Sequence, residues 1–168
     1  MIKELLIEKK SSIAGKWTER LLKTYSEETL KFLKADRNQF SNPVGNIIST
    51  NADSIYDEII SGNNTDKVRS LLADIIRIRA VQDFTPSEAI GFVYILKEVI
   101  CEELEEFKKD QKFNNEFYEM CEKIDKVALL SFDIYMECKE KVHRIRINEI
   151  RYNLLKAVNP NDYEAKQY

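Results

Sequence analysis

Arg77, Arg79, Gln82 and Asp83 crowd charge and hydrogen-bonding capacity into one short stretch, Ile75-Ile76-Arg77-Ile78-Arg79-Ala80-Val81-Gln82-Asp83-Phe84-Thr85-Pro86-Ser87-Glu88. A guanidinium presents a planar fork that suits carboxylates, so this cluster has the chemistry to recognise an acidic or carboxylate-bearing effector or partner. Arg79 stands four residues before Asp83 and Arg77 three after Asp74, spacings at which helical side chains meet. The same groups can instead pin the end of one helix to the start of the next. The sequence leaves both readings open.

Groups able to catalyse are scarce. His143 is the only histidine, whereas zinc sites draw on several Cys or His and di-iron bundles on two Glu-x-x-His pairs. Glu119-x-x-Glu122 and Glu137-x-x-Glu140 lack those histidines and read as solvated helix faces. As a haem ligand His143 would need a mainly apolar wall, yet Lys139, Lys141, Arg144 and Arg146 surround it in sequence. No Ser or Cys sits in a strand–turn–helix elbow, and Gly15, Gly45, Gly62 and Gly91 are too scattered for a phosphate loop. The basic strip Lys139, Lys141, His143, Arg144, Arg146, Arg151 and Lys156, with Glu140 and Glu149 interleaved, suits a helix C-terminus or a partner surface. It lacks the aromatic interleaving of a nucleic-acid site. The expectation is therefore a non-enzymatic protein without metal or cofactor.

The elements that would position these residues read as helices throughout. Ile13, Trp17, Leu21 and Tyr25 recur every four residues within a pattern spanning 2–25, with a bend or close neighbour expected at Gly15. Ser26 caps a short segment over 27–35. Asn42-Pro43 opens a helix that Gly62-Asn63-Asn64 stops, and Asn64 or Thr65 restarts the chain into 67–79. Thr85, Pro86 and Glu88 spell a capping box with proline at the first helical position. The helix that follows, 86–107, is apolar on nearly every face, as a central helix is, and its polar end from Glu98 to Glu106 reads as a wet face. Asn114-Asn115 caps a last pattern over 116–158. There Tyr135, Cys138, Val142 and Ile145 continue a heptad-like seam, Glu149 interrupts it and Tyr152 resumes it. Such a length implies either a break near 125–130 or a C-terminal half that leaves the domain to pair with a partner or a second copy. No period-two strand pattern appears, so the fold class is all-α: a single-domain helical bundle over 1–158 with a flexible tail at 159–168.

Composition agrees. The 168 residues carry a net charge of −3, which argues against a global phosphate-binding surface. Cys101, Cys121 and Cys138 are odd in number and show no C-x-x-C spacing, so they read as reduced, mostly buried thiols of a cytoplasmic protein. The N-terminus alternates charged and apolar residues too quickly for a signal peptide. No run is long enough to cross a bilayer.

Asn42-Pro43-Val44-Gly45, then Ile75 to Ala80 followed by Val81-Gln82-Asp83-Phe84-Thr85-Pro86-Ser87-Glu88-Ala89, then 139–149, resemble the RsbRD N-terminal domain family over about residues 11–151. The resemblance implies an all-helical input domain comparable to the non-haem, globin-like sensor modules of stressosome proteins. In the founding proteins that module precedes a STAS domain bound by the kinase RsbT. No STAS domain is expected after Val158, so only the sensing or docking half of that role is expected to carry over, and the resemblance supplies no catalytic residue or haem. The expected function is a signal-sensing or adaptor domain with a protein partner and a possible small-molecule effector, dimeric through the last helix. The rival readings are an accessory subunit of a larger assembly, such as a redox complex, and a cofactor-binding globin-like sensor.

Overall fold

Side-chain caps decide where most helices start. The computed structural model describes residues 1–35, 42–62, 64–82, 84–107 and 111–158, leaving aside the side chains at 32, 34, 35 and 112. Asn42 accepts a hydrogen bond from the Gly45 N–H at 2.9 Å and starts α4, Pro43–Ser61. Asn64 does the same for the Lys67 N–H at 2.9 Å and starts α5, Thr65–Val81. Ahead of α6, Pro86–Glu103, the capping box closes in both directions. Thr85 Oγ1 accepts from the Glu88 N–H, and Glu88 Oε2 accepts from the Thr85 N–H at 2.9 Å. These bonds satisfy backbone donors that a helix N-terminus leaves orphaned. Gly62 ends α4 at φ 71°, in the left-handed region that favours glycine.

The N-terminal pattern divides where continuity was expected. It forms α1, Ile2–Glu8, and α2, Lys10–Leu22, with the break at Lys9. Gly15 lies within α2 and does not meet the close neighbour expected there. Lys9 is drawn across the molecule instead: its Nζ donates to the Glu103 carbonyl at 2.9 Å and lies 5.9 Å from the Phe107 ring centroid. The expected α3 is found at Glu27–Ala35. α6 stops at Glu103 rather than near 107, and a 3₁₀ turn, Glu105–Phe107, follows it. α7 starts earlier than its asparagine pair suggested, at Gln111, and runs unbroken to Val158. The expected tail at 159–168 lies outside the described residues.

Five helices close a ring, α2 on α6, α6 on α7, α7 on α5, α5 on α4 and α4 back on α2, with α5 also touching α6 across it. α1 covers one end and α3 packs on α4. Trp17, Tyr56, Leu72, Phe92, Leu96 and Ile124 are buried inside. Two polar tips in this core are bonded, as buried donors require. Trp17 Nε1 donates to the Phe92 carbonyl at 2.6 Å, and Tyr56 Oη donates to the Leu6 carbonyl at 2.8 Å. Burial pushes the Tyr56 phenol well above its ordinary pKa, so it stays a donor. Among the described residues every regular element is helical: the protein is an all-α single domain with a long C-terminal helix.

α7 is 48 residues, about 70 Å at the α-helical rise. Its seam is covered by α5 and α6 through Tyr135, and every residue from Arg144 to Val158 is exposed. The C-terminal half leaves the body without a break.

Candidate functional site

The structure separates the arginines that the sequence grouped. Arg79 is completely buried. Its guanidinium carbon lies 4.9 Å from the ring centroid of Tyr25, 4.8 Å from that of Phe84 and 5.5 Å from that of Phe92. Nη1 donates to the Glu88 carbonyl at 2.8 Å, and Nη2 donates to Thr24 Oγ1. Burial lowers the pKa of this guanidinium from its usual value, but arginine remains charged in proteins. Among the described residues no carboxylate forms an ion pair with it. Arg79 therefore ties the ends of α2 and α5 to the first turn of α6, and it presents nothing to an external ligand. Gln82 is exposed at the C-cap of α5, and Asp83 lies outside the described residues.

Arg77 points outward, with its side chain 66 % exposed and 4.0 Å from Asp74. It borders a groove between α5 and α7 whose volume is about 260 Å³. Ala73, Arg77 and Val81 form one wall, one helical turn apart. Ile134, Cys138, Lys141, Val142 and Ile145 form the other. The floor is apolar and the rim is cationic. Arg69 at one end spends its charge on Glu137, 2.6 Å away, while Arg77 has only the distant Asp74 and Lys141 no ion-pair partner among the described residues. Arg77 of the predicted corner and Cys138, Val142 and Ile145 of the predicted seam thus meet in one place. Tyr135, from the same seam, is buried and donates from Oη to the Phe84 carbonyl at 2.6 Å. Tyr152 is 46 % exposed on the free half of α7, away from the groove.

The wet face expected over 98–106 is in part a joint. Arg20 forks onto both carboxylate oxygens of Glu102, at 2.9 and 2.6 Å. Glu103 is one-tenth exposed and collects Lys16, the Ser12 hydroxyl and Lys9. Hydrogen bonds from Lys16 and Ser12 hold its carboxyl below the usual range. Neither carboxylate is free for chemistry.

His143 is exposed on α7 beyond the body, with no apolar wall to make it a haem ligand. Among the described residues no three His, Cys, Asp or Glu side chains are grouped to hold a metal. Cys101, Cys121 and Cys138 are half-buried, less enclosed than their composition suggested. No described helix is long and apolar enough to cross a membrane. A larger cavity of about 590 Å³ opens between α2, α3 and α4, lined by Gly15, Thr18, Leu22, Asn46, Ser49 and Asp53 among others. The sequence carried no signal for it, because its walls come from three helices whose facing residues are small or polar.

The family model for the RsbT co-antagonist protein rsbRD N-terminal domain matches residues 11–150, most of the chain. The protein belongs to that family. No curated protein and no solved structure matches it. Membership in the rsbRD N-terminal domain family makes this a stressosome-type signalling domain of a generally non-enzymatic, regulatory kind.

Proposed function

We propose that the protein is a cytoplasmic input or adaptor domain whose protein partner docks in the α5–α7 groove. The observation that carries this reading is the groove itself, an apolar floor rimmed by Arg77, whose ion pair with Asp74 is a long 4.0 Å, and by Lys141, which has none among the described residues. It fits an amphipathic segment that brings apolar anchors for Val81, Val142 and Ile145 and a carboxylate for the rim. Its volume falls below the usual range for small-molecule sites, which favours a partner's side chains over a free metabolite. The groove is built from α5 and α7, so occupation biases the pose of α7. A coupling of about 1–3 kcal/mol between two poses is enough to transmit a signal.

The test compares capture from native cells by the wild-type chain and by the Arg77→Glu/Lys141→Glu variant. Both side chains are solvent-facing, so the variant should keep its helicity. Loss of a specific, acidic-segment partner is the expected result, and equal recovery by both proteins sinks the groove reading. A second reading, a small-molecule effector, is favoured by the cavity between α2 and α4, whose volume lies within the ligand range. Native mass spectrometry of the freshly purified chain decides between them. An accessory subunit would instead co-purify at fixed stoichiometry with its assembly.

A further inference from the structure

α6 and α7 lie antiparallel, and three contacts along them fix which residues face each other. Tyr135 Oη donates to the Phe84 carbonyl just ahead of α6. Lys97 Nζ donates to both carboxylate oxygens of Asp125, at 2.8 and 2.9 Å. Past the end of α6, the Phe107 and Phe113 ring centroids lie 5.9 Å apart. Cys101 stands one turn beyond Lys97, and Cys121 stands one turn before Asp125. The register, pinned on both sides, sets these two cysteines against each other across the joint.

Their surroundings suit reactive thiols. Both are half-buried. The Lys97 ammonium, held first by Asp125, is also close enough to both cysteines for them to favour its protonated form. An ammonium beside a thiol in turn favours the thiolate, the form that attacks. Cys101 lines an open surface hollow with Tyr94, Lys97, Glu98 and Glu102, so a small oxidant reaches it. Of the two acids there, Glu102 spends its charge on Arg20. Cys138 is out of reach, seventeen residues further along α7 and about 25 Å away at the helical rise.

We propose that Cys101 and Cys121 form a peroxide-responsive dithiol that closes to a disulfide between α6 and α7. The Cys101 sulfur attacks one oxygen of hydrogen peroxide. An S–O bond forms, the O–O bond breaks, and the leaving hydroxide takes the Cys101 proton to become water. The Cys121 sulfur then attacks the sulfenic sulfur of Cys101. An S–S bond forms, the S–O bond breaks, and the second hydroxide leaves as water with the Cys121 proton. In all, the two thiols lose two electrons and two protons, and the peroxide is reduced to two waters. A small thiol reverses the link by exchange. The disulfide staples the body to the helix whose free half projects beyond it, and so fixes the pose of α7. It does not depend on the groove partner, because the groove lies on the α5 side of α7 and the dithiol on the α6 side.

Oxidation of the full chain with hydrogen peroxide tests it. Wild-type protein oxidised and then alkylated should carry one alkyl group, on Cys138, and its digest should contain the Cys101 peptide joined to the Cys121 peptide. Dithiothreitol should restore alkylation of all three cysteines. The urea midpoint, read by Trp17 fluorescence, should rise on oxidation and return on reduction, since the link constrains the unfolded chain. In Cys121→Ser the Cys101 sulfur should gain oxygen instead, with no linked peptide. A digest of oxidised wild type that lacks the link, or that joins Cys138 in its place, overturns the proposal. A lowered midpoint in the oxidised chain overturns it as well, because the bond would then distort the native joint. The groove variant Arg77→Glu/Lys141→Glu should form the link as wild type does, so failure of either proposal is read separately.

Discussion

Arg79 carries a positive charge into the core, and three aromatic rings, two backbone carbonyls and one hydroxyl take the place of an acid. Ring faces are negative, so the cage compensates part of the lost hydration, and its worth rises where water is excluded. Arg79→Ala would remove the guanidinium and leave the Glu88 carbonyl and Thr24 hydroxyl without their donor beside a new cavity. The expected cost is about 3 kcal/mol or more, read as a lowered urea midpoint by Trp17 fluorescence. Arg79→Met, which refills the space without the donors, should recover part of that loss. A Met variant no better than Ala would place the stabilisation in hydrogen bonds alone. The sequence showed an arginine suited to recognition, but not its burial. Tyr25 lies more than fifty residues upstream, and only the packing of α2 against α6 brings its ring to the guanidinium. Arg77, two residues away, points to the opposite side of α5 and keeps its exposure.

Helix boundaries were legible wherever a side chain caps its own backbone, because the whole interaction lies within four residues. Asn42, Asn64 and Thr85 all behave in that way, and Gly62 is as local, ending α4 by its own left-handed backbone. The box at Thr85 is exposed and self-contained, so Thr85→Ala should lower the urea midpoint by about 1 kcal/mol of stability without altering the fold. Exchange of the Glu88 amide should speed in the same variant. A midpoint unchanged by Thr85→Ala would show that the Arg79 tie, not the cap, holds the start of α6. Boundaries set by distant contacts were not legible. The break at Lys9 depends on Glu103 and Phe107, nearly a hundred residues away, and no local pattern announces it. The length of α7 was readable as a choice between a break and an excursion, and the unbroken buried seam through Ser131, whose hydroxyl donates to the Val127 carbonyl at 2.8 Å, settles it as an excursion.

On the scale of the whole molecule the joint of α2 on α6 carries a cluster of charge at its rim. Glu102 and Glu103 both have carboxyls held below the ordinary range, the first by Arg20 and the second by Lys16 and Ser12. A carboxyl that ionises more readily in the folded than in the unfolded chain makes stability rise with pH through its titration range. The contribution is fully present above about pH 5, where the unfolded carboxyls are also ionised, and is lost as pH falls through and below about 4. Exposure divides the two residues: Glu102 is half exposed and its pair with Arg20 is screened by salt, whereas Glu103 is one-tenth exposed and keeps its partners. Glu103→Gln should therefore be less stable than wild type at pH 7, and the two midpoints should converge as pH falls from 6 to 3. Raising the salt concentration should change that difference little. Parallel midpoints across the whole range would mean that Glu103 contributes packing rather than charge, and that the α2–α6 joint is held by Trp17 and Phe92 beneath it.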